Sequence, residues 1–128
     1  MEIKKIKCIH EDERGSITDI VEQIDFNGAT IIHSKAGSVR GNHYHKQTIQ
    51  YVYVLSGKMK CLAQKPDEQV KMAIVEEGDL VWHEVLESHV FEALTDSVFL
   101  VLSSGLRSGR DYERDTFRLD KPLAKKAE

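Results

Sequence analysis

Apolar and polar positions change places every second residue in a succession of short runs, which is the period of a β-strand. Ile3–Ile9 shows it imperfectly, and Gly15–Val21 and Ala29–Ser34 follow. Gln50–Leu55 and Lys58–Gln64 flank Ser56-Gly57, which predicts a hairpin. Lys65-Pro66-Asp67-Glu68 reads as a turn, because Pro66 cannot donate to a ladder. Gln69–Val75 comes next, then Glu76-Glu77-Gly78-Asp79 as another turn. Leu80–Trp82, His89–Leu94 and Ser97–Leu102 complete the series. Turn signals recur at about eight to twelve residues and no segment holds a helical period, so the pattern predicts an all-β sandwich or barrel.

Parity within the runs assigns faces. Gln50, Val52 and Val54 share one side of their strand, and Tyr51, Tyr53 and Leu55 share the other. Both sides are apolar, whereas a strand with one wet face would carry charge on it. The outer side is therefore expected to be covered by another sheet or by a second subunit. Met59, Cys61 and Ala63 face inward against Lys58, Lys60 and Gln64, and Val70, Met72 and Ile74 are read as inward against Lys71. Ser108–Arg118 is polar and reads as irregular, with room for one helical turn. The reading is one domain over residues 1–120, followed by a frayed tail over 121–128.

Composition narrows the classes. At 128 residues the chain can build one core and no more. A net charge of −3 gives no broad pull toward nucleic acid or anionic membrane. Val98–Leu102 is far too short to span a bilayer. The first fifteen residues lack the apolar segment and cleavage site of a secretory signal. Cys8 and Cys61 stand apart with no CxxC spacing, which suits reduced thiols in the cytoplasm. Cys61 reads as a small buried apolar residue.

Candidate chemistry gathers in RGNHYHKQTIQYVYVLSGKMK, residues 40–60. His43 and His45 are one residue apart, so on a strand both imidazoles can point to one spot. Converging imidazoles suit a metal, proton transfer or a polar ligand. Gly41 permits a sharp approach to the barrel rim. Arg40 can grip a phosphate or carboxylate bidentately, or make an ordinary surface ion pair. Trp82, Tyr44, Tyr53 and Phe91 can stack on a sugar or base, or simply fill core or interface. His83 can line a cavity mouth or sit in a turn. Parity does not place His33, and His10 among acidic neighbours reads as exposed.

Residues 37–57 resemble the first motif of the cupin superfamily, G-x5-H-x-H-x3,4-E-x6-G. Gly37, His43, His45 and Gly57 match in spacing, with Gln50 where cupins usually have a glutamate. Residues 78–93 resemble the second motif, G-x5-P-x-G-x2-H-x3-N, through Gly78 and His89. Glu84, Leu86 and Ala93 replace its other residues. The resemblance implies a jelly-roll β-barrel, usually dimeric, with His89 beside His43 and His45. Such a trio, with Gln50 as a weak fourth ligand, can hold a divalent transition metal such as Zn, Ni, Fe, Mn or Co. A neutral glutamine favours Zn or Ni over Mn, and an empty site is equally open.

Arg40–Lys46, Arg14-Gly15 and Trp82-His83-Glu84 are similar to a cupin subgroup containing nucleotide-sugar ketoisomerases, epimerases and domains of capsular-polysaccharide enzymes. That resemblance implies metal-free proton transfer by His43 and His45, with Arg40 near a diphosphate. Asn42, Trp82, His83 and Phe91 complete the candidate substrate-binding set. Three readings stand: an isomerase or epimerase acting on a nucleotide sugar, a metal-dependent cupin (dioxygenase or metal-assisted isomerase), and a non-catalytic module binding a sugar or small acid. A cytoplasmic homodimer without a nucleic-acid or membrane partner is expected in each.

Overall fold

The computed structural model describes residues 1–105 and 113–124. Twelve strands are present among them: β1 Glu2–Lys5, β2 His10–Asp12, β3 Gly15–Ile17, β4 Gly28–Ser34, β5 Val39–Tyr44, β6 Ile49–Ser56, β7 Lys58–Gln64, β8 Lys71–Glu76, β9 Asp79–Trp82, β10 Ser88–Ala93, β11 Ser97–Ser104 and β12 Phe117–Arg118. One antiparallel sheet runs β1-β9-β6-β11-β4 and a second runs β12-β5-β10-β7-β8, while β2 and β3 form a small separate ribbon. Strands β4 to β7 belong to the two sheets by turns, which is the jelly-roll arrangement of a cupin.

The predicted hairpin of 50–64 is not formed. Strand β6 pairs with β9 and β11, and β7 pairs with β10 and β8. The chain turns a corner at Gly57 and passes to the opposite sheet. Gly57 has φ 92°, and a Cβ there would overlap the Ser97 hydroxyl and the Asp96 carbonyl. The local hairpin is instead β7–β8, closed by the 65–68 turn, where the Glu68 N–H donates to the Lys65 carbonyl at 3.1 Å.

The core lies between the sheets. Val52 and Val54 of β6 meet Met59 and Cys61 of β7, with Val75, Val81, Phe99 and Val101 around them. All eight are buried, and each such side chain contributes about 1.5–3 kcal/mol of transfer free energy, the small Cys61 less. The faces of β6 and β7 follow the alternation in the sequence. Those of β8 do not: Val75 is the inward residue, while Val70, Met72 and Ile74 are exposed. Register explains the shift, because the inward Met59 and Cys61 lie opposite Val75 and Ala73.

The N-terminal strand is shorter than Ile3–Ile9. It stops at Lys5, and the chain leaves the sheet for the β2–β3 ribbon. The C-terminal segment contains the one short helical turn for which its sequence left room, and a strand besides. Glu113–Asp115 form a 3-10 turn and Phe117–Arg118 add a strand to β5, while Ser108–Tyr112 lie outside the described residues. Within the predicted tail, the Leu123 and Ala124 N–H groups donate to Asn42 Oδ1 at 2.8 and 3.2 Å. The Asn42 amide donates back to the Ala124 carbonyl. Residues 125–128 lie outside the described residues.

Candidate functional site

Pairing of β5 with β10 builds the centre of the site. His43 lies directly opposite His89 in this antiparallel pair, so both side chains stand on one face. His45, two residues on, joins them. Ring centroids are 4.8 Å apart for His43–His45, 4.8 Å for His43–His89 and 5.3 Å for His45–His89. One ring nitrogen from each lies within 4.8 Å of the others. His83, just after β9, stacks on His89 at 4.4 Å and completes a buried group of four imidazoles.

Hydrogen bonds orient two of the rings. His45 Nδ1 lies 2.8 Å from the Asp115 carbonyl and His89 Nδ1 lies 2.9 Å from the Glu87 carbonyl. A carbonyl only accepts, so each Nδ1 carries a proton, and in the neutral ring each Nε2 carries the lone pair. Burial pushes the His89 pKa down to about 4, against the opposing pull of its bond to the Glu87 carbonyl. His83 is also held well below its ordinary value, first by burial and then by His89. Both are neutral at pH 7. His83 Nε2 is buried and has no hydrogen-bond partner among the described residues.

A cavity of about 350 Å³ opens onto this group between the two sheets. His43, His89 and Phe91 line it from one sheet, and Gln50, Val52, Phe99 and Val101 from the other. His45 and His83 pack behind the lining rings. Arg40 and Arg118, both exposed, also line the cavity, so the guanidiniums mark its rim and the buried imidazoles its floor. Arg40 Nε donates to Ser34 Oγ at 2.9 Å and its Nη2 to the His33 carbonyl at 3.2 Å. Arg118 makes a two-pronged pair with Glu113 at 2.7 and 2.8 Å. No carboxylate is among the described lining residues.

The candidate residues therefore divide. His43, Gln50, His89, Arg40 and Phe91 line one cavity, with His45 and His83 against it. Trp82 lies on the outer face, its ring 5.6 Å from that of Tyr51. Asn42 is the inserted residue of a β-bulge, since His89 pairs with His43 and Val90 with Gly41. With φ 55° its side chain serves the 123–124 segment, away from the cavity. His33 is exposed on the outer side of β4. Gly41 lies close against β10, where a Cβ would come 2.8 Å from the His89 carbonyl. Arg118, Asp115 and Glu87 are additions. Arg118 stands in a polar segment with no periodic signal, and Asp115 and Glu87 reach the histidines through main-chain carbonyls, which no side-chain motif records.

The donor chemistry suits a transition metal. His45 and His89 present lone-pair Nε2 atoms, His43 adds a third imidazole and Gln50 lines the same cavity. No helix among the described residues is long and apolar enough to cross a membrane.

Fold and site together define a cupin with a histidine-floored cavity. The chain belongs to the family described as the polysaccharide biosynthesis C-terminal domain, whose model matches residues 10–102. No curated protein matches the chain by sequence. Among solved structures, the chain is similar to the sugar 3,4-ketoisomerase QdtA from Thermoanaerobacterium thermosaccharolyticum in complex with TDP. The TM-score is 0.75 at 26% identity, over 93% of this chain and 88% of that one. It is also similar to the capsular polysaccharide assembling protein CapF from Staphylococcus aureus, with TM-score 0.66 at 25% identity, over 91% of this chain but only 33% of that one. The Mycobacterium tuberculosis rmlC epimerase shares the fold, with TM-score 0.73 at 17% identity, over 89% of this chain and 66% of that one.

Proposed function

We propose that this protein isomerises or epimerises a keto sugar carried on a nucleoside diphosphate. The observation that carries the reading is one cavity with imidazoles on its floor, guanidiniums at its rim and no carboxylate among its described lining residues. A cavity of about 350 Å³ lies at the small end of ligand pockets and suits a single sugar ring, with the charged diphosphate left at the rim. There the Arg40 guanidinium meets it, joined by Arg118 when its pair with Glu113 opens. The likeness to QdtA, solved with TDP and, in a mutant form, with TDP-4-keto-6-deoxyglucose, supports the same ligand class.

The chemistry follows from the floor. A base removes the proton from the carbon beside the carbonyl while an acid protonates the carbonyl oxygen, giving an enediol. For a ketoisomerase, the neighbouring hydroxyl then loses its proton and the former carbonyl carbon gains one, which moves the carbonyl by one position. Return of a proton to the original carbon from its other face, with the former carbonyl oxygen losing the proton it gained, would instead epimerise it. His43 lines the cavity and is the residue we assign to exchange protons with the sugar. His45, with its ring 4.8 Å away, is the partner that takes or supplies the second proton. Phe91 and Val52 exclude water around the sugar.

The test is conversion of TDP-4-keto-6-deoxyglucose and its UDP counterpart, followed by NMR. Conversion is expected, with kcat falling about 10²–10⁴-fold in His43→Asn and His45→Asn while TDP still binds. No conversion and no binding of either nucleotide sugar would reject the reading. The compact three-imidazole cluster supports a second reading, a metal held by His43, His45 and His89 with Gln50 beside it. A metal there would supply Lewis-acid polarisation of the sugar carbonyl. Less than about a tenth of an equivalent of Zn or Ni after loading untagged protein would reject it, since built zinc sites bind tightly. A homodimer is the proposed assembly.

A further inference from the structure

Asp115 lies beyond residues 10–102, and it does two things at once. Its main-chain carbonyl accepts the His45 Nδ1–H at 2.8 Å. Its carboxylate accepts three successive main-chain N–H groups, Lys46 at 3.0 Å, Gln47 at 2.9 Å and Thr48 at 2.7 Å. These three residues directly follow His45. The side chain thus clamps the loop that leaves His45, and the same residue's backbone sets the proton on the imidazole. Asp115 is 3% exposed, and it is held from both sides, by the Glu113–Asp115 turn before it and by β12 pairing with β5 after it. Glu87 repeats the device at the second ring. Its carbonyl accepts from His89, and its buried carboxylate accepts the Glu84 N–H at 3.2 Å.

We infer that Asp115 is a positioning residue that locks His45 in the Nδ1–H tautomer, so that its Nε2 serves the cavity floor as an acceptor. Geometry alone carries the assignment. A carbonyl cannot donate, so the bond it accepts decides which nitrogen holds the proton. A carboxylate fastened to three N–H groups keeps that carbonyl in place. The role in turnover rests on the proposed proton exchange between His43, His45 and a sugar; the tautomer does not.

The experiment reads the tautomer directly, by long-range ¹H–¹⁵N correlation of the imidazoles at neutral pH, with His45 assigned from a His45→Gln spectrum. Wild-type protein should show His45 and His89 as Nδ1–H. In Asp115→Ala, His45 should lose that signature while His89 keeps it, and kcat on TDP-4-keto-6-deoxyglucose should fall at least about tenfold with KM changed less than about threefold. Asp115→Asn keeps one acceptor oxygen and serves if the alanine variant does not fold. An Nε2–H tautomer in the wild type, or an unchanged His45 signature in a folded variant, would overturn the assignment. Wild-type protein that turns over no sugar but shows the expected tautomers would reject the isomerase reading and leave Asp115 standing as the anchor of His45.

Discussion

At the residue scale, environment separates groups that the sequence writes alike. Cys8 is exposed and Cys61 is buried between Met59 and Ala63. Burial, followed by the charge of Asp79, pushes the Cys61 thiol up to about 12. The thiolate is the reactive form, so Cys61 should be inert in the native protein. A thiol-reactive dye is expected to label Cys8 alone, with Cys61 labelled only after denaturation. Rapid native labelling of both would place Cys61 outside the core. The histidines divide in the same way. His43 and His45 were legible as a pair because strand alternation brings i and i+2 to one face. Asp115 and Glu87 were not, because they act through backbone carbonyls, and any residue type carries one of those.

At the element scale, alternation specified which face of β6 and β7 turns inward, but not what each strand pairs with. A strand–turn–strand pattern looks the same whether the chain folds back on its neighbour or crosses to the other sheet. Gly57 decides it, by its φ of 92° and by the packing of Asp96 and Ser97 over it. Gly57→Ala should therefore cost about 1–3 kcal/mol from backbone strain, with the overlap added. Gly28→Ala is the control, since no atom lies within 4 Å of a Cβ there. Chemical denaturation of the two variants checks this, and equal stability would show that the corner is not rigid. Strand β8 departs from its pattern for a related reason. It lies at the edge of its sheet, with Met72 and Ile74 exposed beside the inward Val75, so apolar residues occupy both faces and alternation loses its meaning. The bulge at Asn42 was illegible too, because one inserted residue leaves no mark on a polar segment.

At the scale of the molecule, the apolar outer side of the first sheet is the open question that parity raised. Tyr51 and Tyr53 are half-buried there, while Ile31 and Leu55 are 51% and 40% exposed. Apolar groups on one sheet face favour association with a second copy. Sedimentation is expected to give twice the chain mass of 14.6 kDa, and Ile31→Glu with Leu55→Glu should return the single mass. A wild-type protein that stays monomeric at high concentration would exclude this face as an interface. The resemblance in the sequence covered the barrel and its histidines, and the structure extends the site to residue 118.

The route by which β5, β10 and the Glu113–Arg118 segment come together also sets a timetable. His43 meets His89 across 46 positions of chain, and His45 meets Asp115 across 70. Closing such distances costs chain entropy before any contact returns it, and β-folds dominated by distant pairings fold in about milliseconds to seconds. During synthesis β4 must wait, unpaired, for β11 to emerge, and β5 for β10. The histidine floor is then the last feature to take shape, so a refolding chain should recover its sheet signal before His45 acquires its final proton position.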